Sequence, residues 1–329
     1  MRLAFGGPDR PARYLRDLLQ QAVDAAPAGS RIDWATYYFR DRALAEALIH
    51  ASDRGVRVRV ALEARPRRRG TNDAVARLLG RHGLSGGFFL REGGAGSLHA
   101  KIYAFSAPQI AWVGSFNPSG DDPEDPAVTA EIGDQDRGHN LLLGITDPVL
   151  VDALTAQVDL LCRPRRILDR LWPRQNRAVG SGGTALFFYP RARTLVVERE
   201  VGALAAGDRL LGAVSHLKAG PLTRALTCAS RRGAAVRLLV HDTERRVPGA
   251  VVEEMTRAGV SVERVGDGGG AVPMHAKFLL AERGSGTLTW TGSLNFNARS
   301  RWLNDELLVR TEDGEVWRAL ARRFDEIAG

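Results

Sequence analysis

The 329-residue chain is poor in sulfur, with two cysteines, Cys162 and Cys228, and three methionines. Two cysteines make no disulfide framework in a chain this long. Neither has a second cysteine at metal-ligand spacing, so both read as reduced, partly buried thiols. Long apolar runs are missing as well. No stretch of eighteen apolar residues occurs, which argues against a transmembrane helix. The N-terminal Met1-Arg2-Leu3-Ala4-Phe5-Gly6-Gly7-Pro8-Asp9 lacks the apolar run and small-residue cleavage site of a secretory signal. A cytoplasmic location is expected. Carboxylates are outnumbered, 38 against 46 lysines and arginines, for a formal net charge of +8. No carboxylate-rich or His/Cys cluster has the spacing of a metal site, so neither a metal nor a cofactor is expected.

What is present suits a soluble protein of one or two domains: 44% hydrophobic and 26% charged residues. A basic surface attracts polyanions, whether nucleic acid, anionic lipid headgroups or phosphorylated small molecules, and does not choose among them. Arginine dominates, with clusters at Arg65/Arg67/Arg68/Arg69, Arg163/Arg165/Arg166 and Arg245/Arg246. Solvated loops and a true anion-binding surface are equally good readings of these clusters.

The chain is written twice. Ala51-Ser52-Asp53-Arg54-Gly55 returns as Ala229-Ser230-Arg231-Arg232-Gly233, an offset of 229 − 51 = 178, and Ala47-Leu48 returns as Ala225-Leu226 at the same offset. Each copy reads as an amphipathic helix, a glycine stop and a strand, Val56–Val60 or Val236–Val240. A further helix follows in each half (Asp73–Leu79; Ala250–Ala258), and a strand precedes the first (Ile32–Tyr38; Arg209–Val214). Alternating strands and helices predict an α/β fold with a largely parallel sheet in each half. The boundary is expected near Pro173–Gly183, where proline and glycines interrupt any pattern. Asp121–Asp136 occurs only in the first half and reads as a loop insertion.

A polar signature is duplicated with the elements. His99-Ala100-Lys101 precedes Gly114-Ser115-Phe116-Asn117, and His275-Ala276-Lys277 precedes Gly292-Ser293-Leu294-Asn295, with offsets of 275 − 99 = 176 and 295 − 117 = 178. On a strand, the histidine and lysine of each triplet share a face. Gly114 and Gly292 are expected to allow tight turns with exposed N–H groups, and Ser115 and Ser293 to add donors. Two lysines and two asparagines around one pocket would hold the non-bridging oxygens of a phosphodiester. One imidazole would attack phosphorus and the other protonate the leaving oxygen. The remaining histidines, His50, His82, His139, His216 and His241, do not recur and read as structural or surface groups.

This paired signature resembles the phospholipase D superfamily, whose motif is His-x-Lys-x4-Asp followed by Gly-Ser-x-Asn. The resemblance covers both halves. It implies a duplicated phospholipase D-like fold: two mixed, mostly parallel sheets flanked by helices, in a pseudo-twofold bilobal body with lobes 1–175 and 176–329. It also implies a covalent phosphohistidine formed without metal, the phosphoryl group passing to water or an alcohol. The match departs at the motif aspartate, where Ser106 and Glu282 stand. The family's later acidic residue, which orients an imidazole from the opposite half, falls on Glu306 in the second half and on Asn140 in the first. On that pattern Glu306 serves His99 and Asn140 faces His275. The carboxylate then favours His99 as nucleophile and leaves His275 as general acid.

The resemblance is weak for substrate. The leading reading is a phospholipase D or phosphatidyltransferase acting on phospholipid-like diesters, with peripheral membrane contact through Phe88-Phe89-Leu90 or Leu186-Phe187-Phe188-Tyr189, runs that equally suit buried strands. The alternatives are a metal-independent nuclease or DNA phosphodiesterase, which the basic balance favours, and a non-catalytic phosphodiester-binding member. Since both motifs lie in one chain, a monomer suffices for a complete site.

Overall fold

The computed structural model describes residues 1–92, 96–119, 127, 129, 133–164, 178–191, 193–266, 272–284 and 286–329. The first sheet holds β1 (Arg2–Phe5), β2 (Arg31–Thr36), β3 (Arg57–Glu63), β4 (Gly87–Arg91), β5 (Ile102–Ser106), β6 (Gln109–Gly114) and β7 (Leu141–Ile145), in spatial order β1-β7-β6-β5-β2-β3-β4. The second holds β8 (Val179–Ser181), β9 (Thr184–Tyr189), β10 (Arg209–Val214), β11 (Ala235–His241), β12 (Ser261–Val265), β13 (Lys277–Arg283), β14 (Gly286–Gly292) and β15 (Glu306–Thr311), in order β12-β11-β10-β13-β14-β15-β9-β8. Read in reverse, the second order repeats the first strand for strand, with β8 added at the edge. The duplication seen in sequence is therefore a duplication of topology.

The sheets are mixed, but parallel pairing is the minority. Only β2/β3, β3/β4, β10/β11 and β11/β12 run parallel; the other neighbours are antiparallel. Parallel neighbours need a crossover, which α2 (Arg42–Asp53) and α3 (Asp73–His82) supply in the first half, while α1 (Tyr14–Asp24) leads from β1 to the non-adjacent β2. The motif strands instead return through short turns. The helix stops behave as predicted, Gly55 and Gly233 taking φ of 89° and 90°, a conformation open to glycine.

Helix α4 (Pro148–Leu161) starts on an Asp147 cap, whose side chain accepts from Leu150 N at 3.1 Å. The second half adds α5 (Val196–Val201), α6 (Pro221–Arg231), α7 (Gly249–Arg257), α8 (Ala298–Trp302) and α9 (Gly314–Ala328). Two apolar clusters are private, one to each half. A third is shared: Leu98, Ile102, Leu143 and Leu154 pack with Leu211, Phe278, Leu307 and Phe324. It lies between the sheets, where α4 and α9 also pack, so the halves bury a common face. Sheet pairing stops at Ile145 and resumes at Val179, and the expected boundary at 175/176 lies outside the described residues, as do Arg165, Arg166 and most of the expected insertion. Cys162 is buried and Cys228 exposed; both are free.

Candidate active site between the lobes

The two His-x-Lys segments do not simply begin their own strands. Each bonds to the opposite half. Asp305 N donates to Ser97 O at 2.9 Å, and Asp305 O accepts from His99 N at 2.9 Å and Ala100 N at 2.7 Å. On the other side, His139 N donates to Pro273 O at 2.9 Å and His139 O accepts from His275 N at 3.1 Å. Asp305 and His139 each precede the residue that meets the imidazole: Glu306 Oε2 lies 2.9 Å from His99 Nδ1, and Asn140 Oδ1 lies 2.8 Å from His275 Nδ1. Backbone and side chain of each motif histidine are thus held by one dipeptide of the opposite lobe. Buried Glu63 adds support, accepting from Leu98 N at 2.6 Å, and Arg91 pairs with Asp305 across the lobes at 3.3 Å.

The partners fix the tautomers. Asn140 Nδ2 donates to Gln135 O at 2.9 Å, so its Oδ1 is the acceptor and His275 Nδ1 carries the proton. Burial pushes the Glu306 carboxyl up, but the His99 ring, Lys101 and the Ser293 hydroxyl more than offset this and hold it below its ordinary value. An ionised Glu306 accepts from His99 Nδ1–H. Burial is the main cause that lowers His99 to about 4, partly opposed by Glu306 and reinforced by Lys101 and Lys277. Burial, then Lys277, Arg246 and Lys101, push His275 down as well. Before substrate arrives, both imidazoles are neutral at physiological pH, each with its lone pair on Nε2.

Lys101 and Lys277 are buried, and each donates to the carbonyl of its own motif histidine at 2.7 Å. Burial brings Lys101 down to about 7 and lowers Lys277 too. The Gly-Ser-x-Asn turns differ from expectation. Ser115 N and Ser293 N are not exposed; they donate to Leu141 O at 3.0 Å and Leu307 O at 2.9 Å. A Cβ on Gly114 would fall 2.2 Å from Leu141 O, and one on Gly292 2.3 Å from Leu307 O, so glycine is required for strand approach rather than for substrate access. Ser293 Oγ donates to Glu306 Oε2 at 2.5 Å and Ser115 Oγ to Asn140 Oδ1 at 2.9 Å. Both serines orient the imidazole partners. The motif-aspartate positions end the strands away from the histidines: Ser106 Oγ accepts from Arg31 N at 2.7 Å, and Glu282 pairs with Arg209 at 2.8 Å.

A cavity of about 460 Å³ is lined by His99, His275, Asn117 and Asn295, with Lys101 and Lys277 buried behind the lining rather than part of it. It also takes Tyr37, Tyr38, His216, Gln135 and the arginines Arg65, Arg67, Arg245, Arg246 and Arg299. Of the arginine clusters, two therefore face the site. His216, read from sequence as structural or surface, belongs to it. The missing signal was the repeat itself: 216 − 38 = 178 and 245 − 67 = 178, so His216 answers Tyr38 and Arg245 answers Arg67. The strand expected through Tyr38 ends at Thr36, and the chain turns Tyr37 and Tyr38 into the cavity. Arg246 Nη1 donates to Ser215 Oγ at 3.2 Å, and that oxygen lies 3.1 Å from His216 Nδ1. Burial and Arg246 keep the His216 ring neutral. Among the described residues no group of three or more His, Cys, Asp or Glu side chains is placed to bind a metal ion.

A family model described as the phospholipase D-like domain of cardiolipin synthase matches residues 18–121 and 204–328. The mitochondrial cardiolipin hydrolase of Xenopus laevis is 30% identical over 106 residues, 32% of this chain and 48% of that protein. That of Danio rerio is 29% identical over 103 residues, 31% of this chain and 43% of that protein. The matches thus span about half the length of these curated relatives or less. Among solved structures, phosphatidylserine synthase of Haemophilus influenzae has a TM-score of 0.69 at 14% identity, covering 99% of this chain and 86% of that one. Polyphosphate kinase of Porphyromonas gingivalis has a TM-score of 0.65 at 15% identity, covering 98% of this chain and 49% of that one.

Proposed function

The chain belongs to the phospholipase D superfamily, and from that premise we propose that it is a phosphodiesterase or phosphatidyltransferase that cleaves a phospholipid-like diester through a phosphohistidine, without metal. We read its two lobes as 1–175 and 176–329, with the site between them. The observation that carries the reading is the pair of imidazoles in one cavity, each anchored by the opposite lobe, one on a carboxylate and one on an amide.

His99 is the nucleophile. Its Nε2 lone pair attacks phosphorus as the bond to the leaving oxygen breaks, and Glu306 stabilises the cationic ring that forms. His275 gains the proton it needs when the phosphate anion enters, because that anion offsets the lysine and arginine charges that otherwise keep the ring neutral. It then gives the Nε2 proton to the leaving alkoxide. In the second half-reaction His275 takes a proton from water or an alcohol, the acceptor oxygen attacks phosphorus, and the P–N bond breaks to restore His99. The lysines, Asn295 and the arginine wall stabilise the charge on the phosphoryl oxygens.

The test is hydrolysis of bis(p-nitrophenyl) phosphate in excess EDTA. Wild-type turnover is expected to survive chelation and to fall at least ~10³-fold in His99→Ala. Turnover that stops with EDTA, or persists in the variant, would overturn the reading. One observation favours a nuclease as second reading: Arg65, Arg67, Arg245 and Arg299 line the cavity without a carboxylate at ion-pair distance among the described residues. Steep salt dependence of duplex DNA binding, with EDTA-resistant DNA cleavage and no turnover of phosphatidylglycerol, would select it.

A further inference from the structure

Beside the catalytic cavity lies a second groove of about 380 Å³. The short helix α8 is the partition. Arg299 and Ser300 line the catalytic cavity, Ala298, Arg301 and Trp302 line the groove, and Asn297, which caps the helix by accepting from Ser300 N at 3.0 Å, borders both. The groove differs in chemistry from the cavity it adjoins. Its floor is apolar, with Leu222 and Phe296 buried, and its rim leaves Trp302 48% and Leu195 37% exposed. Cations surround that rim: Arg193 and Arg199 have no carboxylate partner among the described residues, and Lys218 donates only to Arg245 O, at 2.5 Å. No carboxylate among the described residues lines the groove; Glu198, which pairs with Arg301, is buried.

The apolar runs singled out in the sequence do not occupy this position. Leu186, Phe188 and Tyr189 are buried in the second sheet, and Phe89 and Leu90 lie on β4, the edge strand of the first. Exposed tryptophan and leucine next to arginine and lysine form an amphipathic rim, with a place for alkyl groups inside and for anionic headgroups around it.

We propose that this groove seats an acyl-bearing arm of an anionic phospholipid whose phosphodiester lies in the catalytic cavity. The inference rests on the proposed function and sharpens it, because a groove with an apolar floor gives a lipid arm a place that a nucleic-acid backbone does not use. The phosphoryl group would lie on the His99 side of α8 and the acyl chain on the Trp302 side. Arg193 and Arg199 would face neighbouring headgroups.

The experiment compares soluble short-chain phosphatidylglycerols, dibutanoyl and dihexanoyl, below their micellar limits. In wild type, kcat/KM is expected to rise about tenfold with two further methylenes buried per seated chain. In the double variant Trp302→Ala/Leu195→Ser the rise should shrink to within about twofold, while bis(p-nitrophenyl) phosphate turnover stays at the wild-type level. Binding of the same two lipids to His99→Ala, measured by calorimetry, gives the chain-length dependence without chemistry. It therefore still reports on the groove if the catalytic proposal itself fails. A chain-length effect that persists in the double variant overturns the proposal. So does a wild type that binds a dinucleotide more tightly than either lipid and loses that preference in Trp302→Ala, which would make the tryptophan a base-stacking platform.

Discussion

In the first lobe, Asn117 is fully engaged: its Nδ2 donates to Gln135 Oε1 at 3.1 Å and its Oδ1 accepts from Tyr38 N at 3.3 Å. In the second lobe, the repeat-related Asn295 is also buried, yet its Oδ1 has no hydrogen-bond partner among the described residues. The same division runs through the site. His99 faces a carboxylate and His275 an amide; Tyr38 stands on one side and neutral His216 on the other. A duplication that keeps strand order, backbone anchors and glycine contacts has diverged in the side chains around the two imidazoles. The symmetric part places two imidazoles in one cavity. The asymmetric part makes them chemically unequal, as the proposed two-step transfer requires.

The sharpest break of this comparison is to remove each imidazole in turn and supply a leaving group that needs no acid. With a p-nitrophenyl diester, His275→Ala should still release a stoichiometric burst of p-nitrophenol and trap the remaining monoester phosphoryl group on His99, with later turnover slowed ~10³-fold or more. His99→Ala should give no burst. The opposite pattern would exchange the two roles.

Next in size is the partner exchange. Glu306→Gln should lower kcat on the order of 10²-fold. Asn140→Asp should do something different: a carboxylate on Nδ1 favours the protonated ring. The loss of activity at high pH, where the acid form disappears, should therefore move to higher pH by roughly one to two units. A pH–rate profile on an unactivated diester reads both, and an unmoved alkaline limb would remove His275 as the acid.

The smallest effect concerns His216. His216→Phe deletes the ring's hydrogen-bonding nitrogens and should raise KM about three- to tenfold, whereas His216→Tyr, which copies the first lobe's Tyr38, should restore most of it. Equal defects in both variants would reduce His216 to a packing residue.

Most of the frame was legible from repetition. A 178-residue offset located helices, glycine stops and motif strands; aligning the apolar runs set Asn140 opposite Glu306, and the family resemblance supplied their cross-lobe placement. Lysine scarcity was a further signal: of three lysines in the chain, two are Lys101 and Lys277. Other features were hidden for physical reasons. Antiparallel and parallel strands carry the same buried valines and leucines, so the pairing sense of β5, β6 and β7 could not be read from composition. Ser115 and Ser293 look like phosphate donors until their hydroxyls are seen on Asn140 and Glu306. Gln135 comes from the segment present only in the first half, where no second copy exists to mark it.

The backbone bonds from Ser97, His99 and Ala100 to Asp305, and from Pro273 and His275 to His139, have a mechanical consequence. A clamshell opening would tear both imidazoles from their partners in one movement. On the proposed reading, a substrate reaches the histidines through the arginine-lined cavity while the two halves stay fixed around it. Any motion that accompanies turnover belongs to the walls of that cavity and not to its hinges.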